Sequence, residues 1–199
     1  ASKAGAEIAI KSYYESYLRR KKNIYFAVAR AGNVIGGGDW SKDRLIPDCV
    51  KAWSKNKPVK IRNLSSTRPW QHVIEVINGY LELALKLNNK KKNINGESFN
   101  FGPSTNKNYK VEDCLREIKK NWPDIKWNKE KKTNRFKEAG LLKLDSKKSL
   151  KYLNWKTIMP FNETIKFTSE WYKNFYNNKA KIITVNQIKR YYQKFNINI

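Results

Sequence analysis

Stretches with apolar residues three and four apart alternate along this chain with short continuous apolar runs. "SKAGAEIAIKSYYESYLRR" sets Ile10, Tyr13, Tyr14, Tyr17 and Leu18 on one helical face, with Ser2 as N-cap candidate. "NIYFAVAR" then reads as a buried strand. "RLIPDCVKAWSK" predicts a helix burying Leu45, Ile46, Cys49, Val50 and Trp53, with Pro47 tolerable in its first turn. "PVKI" is a brief strand, and "HVIEVINGYLELALKLN" is the clearest amphipathic helix, ended by the turn "NING".

The same alternation continues downstream. "SFNFG" predicts a strand closed by Gly102 and Pro103, and "KVEDCLREIKKNW" a helix stopped by Pro123. Ser146 is a plausible N-cap within "LDSKKSLKYLNW", and a long amphipathic helix starts at Pro160. Thr184 and Gln187 form a capping-box pattern ahead of "IKRYYQKF". Strands separated by helices of this length predict an α/β fold, and no internal repeat is present.

"ARAGNVIGGGDW" holds four of the nine glycines. A dinucleotide loop needs G-x-G-x-x-G opening a helix, so that backbone amides approach a pyrophosphate. Here the order is G-x-x-x-G-G-G followed by Asp39 and Trp40, with no helix start. This is not the glycine loop that cradles a dinucleotide pyrophosphate.

Composition changes the picture only in places. The formal net charge of +25 invites a polyanion partner, because lysines that neutralise phosphates release counterions. The lysines are nevertheless scattered, dense only at "NNKKKN" and "NKEKKTNRFK", without a nucleic-acid motif, so solvated surface charge is expected. Cys49 and Cys114 form no CxxC pair, so reduced thiols and a cytoplasmic protein are expected. No run of about 18 apolar residues is present, so no membrane span is expected. His72, the single histidine, has no ligand cluster around it in sequence and reads as structural, with no metal site. Trp70 and Trp155 read as core residues.

Taken together, "ASKAGAE", "ARAGNVIGGGDWSKDRLIPDC", "STRPWQHVIEVINGYLELA", "FNFGP" and "LKLDSKKSLKYLNW" resemble the C-terminal half of the extended short-chain dehydrogenase/reductases. Within them, "GNVIGGGDW" and "RPWQH" are similar to the CDP-glucose 4,6-dehydratases, where other nucleotide-sugar enzymes carry "NNYGP" and "RDW". The resemblance implies the C-terminal part of a Rossmann-type parallel sheet plus a smaller α/β substrate-binding lobe. It places the end of the dinucleotide-binding domain at residues 1–35, the substrate lobe interleaved with the last Rossmann elements at 36–178, and a tail helix at 179–199.

What the resemblance implies chemically follows residue by residue. The opening "ASK" aligns Lys3 with the lysine of the YxxxK signature, the tyrosine falling before Ala1. Such a lysine holds the nicotinamide ribose of NAD and favours the phenolate that takes a proton from the sugar. Lys3, Ala31 and Gly32 are thereby assigned to NAD. Asn33, Arg44, Leu45, Ile46, Arg68 and Asn100 are assigned to a small-molecule nucleotide sugar. A guanidinium such as Arg68 can hold phosphate bidentately. Asn154 stands where the family carries glycine, a mild change because Asn tolerates left-handed backbone.

The implied intact enzyme is a lyase converting CDP-glucose to CDP-4-keto-6-deoxyglucose with recycled NAD, for deoxysugar and surface-polysaccharide synthesis. A homodimer or higher oligomer is implied, with the helix at residues 2–21 at its interface. The GxxGxxG loop lies outside this sequence, so the chain is expected to be a fragment, inactive and poorly soluble alone. Two alternatives stay open: another epimerase or dehydratase of the same family, and a basic nucleic-acid-binding module.

Overall fold

The computed structural model describes residues 2–89, 92–104, 107–130, 143–178 and 180–195. Helix α1 (Ser2–Tyr13) runs into a π-helical turn at Tyr14–Leu18. There follow β1 (Val28–Ala31), β2 (Val34–Ile35), α2 (Leu45–Trp53), β3 (Val59–Ile61), β4 (Thr67–Arg68), β5 (Gln71–His72) and α3 (Val73–Asn88). The second half holds β6 (Ser98–Phe101), β7 (Tyr109–Lys110), α4 (Val111–Asn121), β8 (Trp127–Lys129), α5 (Lys147–Leu153), α6 (Phe161–Tyr176) and α7 (Ala180–Lys194). The fold is α/β. Parallel pairs join β1 to β6, β2 to β5 and β3 to β8, while β4 and β7 pair antiparallel.

Apolar periodicity is realised where a second element covers it. The α2 residues Cys49, Val50 and Trp53 meet Leu115 and Ile118 of α4 and Ile165 and Tyr172 of α6 in one core. Burying each large side chain there contributes about 2 kcal/mol. Phe99 and Phe101 of β6 pack with Leu83 of α3, Leu153 and Trp155 in a second core. Cys49 and Cys114 are free and fully buried in the first core, and burial pushes both thiols up.

Some local expectations change in three dimensions. The "NIYFAVAR" run becomes a ladder only at Val28, because Asn95 and Gly96 satisfy the backbone of Phe26. Ser2 is already inside the helix rather than capping it. Thr184 and Gln187 lie within α7: Thr184 accepts the indole N–H of Trp171, and Gln187 donates to the Phe167 carbonyl. Ser146 does stand at the α5 N-cap, but its hydroxyl bridges the amide and carbonyl of Gly102 instead of capping. The "NKEKKTNRFK" run falls mostly outside the described residues.

Among the described residues, the apolar faces of the first helix and of α3 stay uncovered. Helix α1 buries no residue, and of the face expected along residues 2–21 only Tyr14 of the π-helical turn is buried, against Phe26 and Gly96, while Ile8, Tyr13 and Tyr17 are exposed. On α3, Ile77, Tyr80, Leu81 and Leu85 form an exposed stripe opposite buried Val76, Gly79 and Leu83. Among the described residues, no helix is long and apolar enough to cross a membrane.

Candidate functional site

The ends of β1 and β2, the start of α2 and the end of β3 surround a cleft of about 530 Å³. It lies beyond the carboxyl end of β1, where α/β folds leave a crevice between loops, and is walled by β2 and β3 from separate strand pairs. Lys3 enters from the first turn of α1, Gly32 and Asn33 from the end of β1, and Arg68 from β4. Arg44 is the N-cap of α2 and has extended backbone, so Leu45 and Ile46 open the helix along the cleft wall.

The lining carries Lys3, Arg44, Lys60, Arg62 and Arg68 against Asp39, Asp43 and Asp48, a formal excess of two positive charges. The carboxylates partly order the cations. Arg62 pairs with Asp43 at 3.3 Å, and Arg44 approaches Asp39 at 4.0 Å. Burial works against ionisation of Asp39, but hydrogen bonds from Ser41 and the nearby Arg44 and Lys51 hold it below the usual carboxylate range. The Arg68 guanidinium donates to the Thr67 carbonyl at 2.8 Å, which orients it at the cleft wall. Such a cleft suits a doubly charged anion with an apolar portion laid along Leu45 and Ile46.

Of the expected site residues, Lys3, Gly32, Asn33, Arg44, Leu45, Ile46 and Arg68 converge on this cleft. Two stand apart from its lining. Ala31 is the last β1 residue, paired with Phe101. Asn100 is held elsewhere: its amide donates to the Asp145 carbonyl at 3.0 Å and accepts from Arg30 at 3.4 Å. Sequence reasoning missed Lys60, Arg62, Asp39 and Tyr172. For Lys60 and Arg62 a signal existed, since they alternate with Val59 and Ile61 at strand period.

The glycine run is shaped by packing. A Cβ on Gly36 would stand 2.6 Å from Val73, and one on Gly37 would stand 1.9 Å from the Trp171 ring. Gly38 has φ +84°, which L side chains rarely adopt. Val73 and Trp171 therefore fill the space where side chains on Gly36 and Gly37 would stand. His72 is the N-cap of α3: its Nδ1 accepts the Ile74 amide at 3.3 Å, and burial pushes it down to about 4. It is neutral and structural, in contact with Phe167. Trp70 and Trp155 are both buried.

Residues 2–102 match the NAD dependent epimerase/dehydratase family. The chain belongs to this family. It is 35% identical over 187 residues to CDP-glucose 4,6-dehydratase of Salmonella typhimurium, covering 92% of this chain and 52% of that protein. It is 27% identical to human dTDP-D-glucose 4,6-dehydratase, covering 89% and 49% respectively. The chain thus spans about half the length of the curated relatives it matches.

Solved structures agree on the fold. UDP-glucuronic acid 4-epimerase from Bacillus cereus, in complex with UDP-glucuronic acid and NAD, superposes with a TM-score of 0.69 at 20% identity, covering 85% of this chain and 50% of that one. dTDP-glucose 4,6-dehydratase from Bacillus anthracis, in complex with NAD, gives 0.63 at 21% identity, covering 87% and 51%.

Proposed function

We propose that this chain is the nucleotide-sugar-binding half of a CDP-glucose 4,6-dehydratase. The observation that carries this is the convergence of Lys3, Asn33, Arg44 and Arg68, from four separate elements, on one cleft with excess positive charge. The 35% identity to the Salmonella enzyme favours CDP-glucose over other nucleotide sugars. Arg68 and Asn33 would hold the diphosphate, the first as a fork and the second through its amide N–H. Leu45 and Ile46 would lie along the base.

NAD, when bound, supplies the hydride acceptor and donor for this chemistry. Of the described residues, Lys3 fits it best, a cation in the cleft lining able to hold a ribose hydroxyl and favour a neighbouring phenolate. The exposed faces of α1 and α3 suit cover by further protein, either a cofactor-binding half or a second subunit.

The test is isothermal titration of the chain with CDP-glucose, UDP-glucose and a DNA oligonucleotide at two salt concentrations. Saturable one-to-one binding that favours CDP-glucose is expected. Equal binding of both sugars would move the chain to another branch of the family. Tighter binding to the oligonucleotide, falling steeply with salt, would replace the enzyme reading with a polyanion-binding one.

A further inference from the structure

Behind the cleft, the glycine run is held by one face of α6. The Trp171 ring occupies the space a Gly37 side chain would take, and Gly38 faces the same indole. The Tyr172 hydroxyl donates to the Asp39 carbonyl at 2.8 Å. The Trp40 ring lies 5.3 Å from Tyr172 and 4.9 Å from Phe175, centroid to centroid. Residues 37 to 40 are therefore braced by α6, while Asp39 and Tyr172 reach the cleft lining.

The brace is itself braced. Trp171 stacks on Phe175 at 5.5 Å and 13°, and its indole N–H donates to Thr184 Oγ1 of α7 at 2.7 Å. Three consecutive glycines have the greatest backbone freedom to lose on ordering. A ligand whose loop is already ordered does not bear that cost when it binds.

We infer that Trp171 and Tyr172 are positioning residues for the cleft wall, and that Thr184 makes the C-terminal helix part of ligand binding. The ligand-binding half of this inference rests on the function proposed above. The positioning of the loop stands on the contacts alone.

The experiment compares wild type with Thr184→Val, which keeps the shape but removes the acceptor, with Thr184→Ser, which restores it, and with Trp171→Phe, which removes the donor. Hydrogen exchange of the 36–40 amides and CDP-glucose titration are both read. Thr184→Val and Trp171→Phe are each expected to speed exchange in the loop and weaken binding about fivefold, the worth of one hydrogen bond. Thr184→Ser is expected to recover both.

A merely structural contact would instead speed exchange at β1 and α4 as much as in the loop. That uniform change would overturn the inference, as would a loop unchanged in Thr184→Val. If wild type binds no CDP-glucose, the proposed function falls, and the exchange comparison still decides whether the loop is positioned by α7.

Discussion

The carboxylate of Glu75 accepts the backbone amide of Met159 at 2.8 Å, 84 residues away in sequence. It also accepts the Ile158 amide at 3.0 Å and the Tyr191 phenol. One fully buried side chain in the first turn of α3 thereby ties that helix to the segment before α6 and to α7. Burial pushes Glu75 up to about 7, although these three donors favour the ionised form.

This makes stability depend on pH in a way that two neighbours share. The folded chain keeps a Glu75 proton that the unfolded chain releases above 4.5, so its contribution is full below 4.5 and lost as pH rises towards 7. His72 acts oppositely: its contribution is full above 6.5 and lost as pH falls towards 4. Each amounts to about 3 kcal/mol, so the two nearly cancel in wild type between pH 4.5 and 6.5. Glu75→Gln should show stability rising with pH across that range, and His72→Asn should show it falling. Urea unfolding at several pH values checks both slopes, and flat profiles in both variants would refute them.

Two helical glycines are expected to respond oppositely to alanine. A Cβ on Gly5 meets nothing within 4 Å, so Gly5→Ala should stabilise by about 1 kcal/mol through helix propensity. A Cβ on Gly79 would stand 2.4 Å from Phe101 and 2.9 Å from Trp155, both buried rings that would have to move. Overpacking of this kind costs about 1–3 kcal/mol and outweighs the propensity gain. Thermal unfolding should therefore show Gly79→Ala below wild type and Gly5→Ala above it.

Arg68→Lys should separate fork from charge. Lysine keeps the positive charge but cannot present two parallel donors to a phosphate. CDP-glucose affinity is expected to fall about tenfold, the scale of one charged hydrogen bond, with little change in melting temperature. Unchanged affinity in titration would remove Arg68 from the proposed diphosphate site.

Asn154 ends α5 in left-handed backbone, φ 58° and ψ 29°. Asn154→Ala should lose about 1 kcal/mol there, while Asn154→Gly should match wild type or exceed it. Chemical denaturation of the three proteins distinguishes them. Equal loss in both variants would mean that the side chain, rather than the backbone conformation, matters.

Much of the fold was legible because local rules and tertiary packing agree in it. Helices α2, α3, α4 and α6 stand where the 3.6 period placed them, and Asn154 adopts the conformation its type allows. The errors arise where a distant partner took over a local group. Thr184 and Gln187 match a cap pattern, yet each bonds to α6. Ser146 occupies its cap position and bonds to Gly102, 44 residues away. No spacing rule contains such partners.

The sequence by itself determined the alternation of elements, the positions where backbone must turn, and the family to which the residues around Lys3, the glycine run and Arg68 belong. It left open which of 42 lysines and arginines would act together, because charge along a chain has no direction. Tertiary structure decided that. Packing of separate strand pairs against the helices places the end of β1, β2, β3 and β4 around one space, and Lys3, Arg44, Lys60, Arg62 and Arg68 then share one cleft. It also decided the meaning of the three glycines, since only packing places Val73 and Trp171 where side chains on that loop would otherwise be.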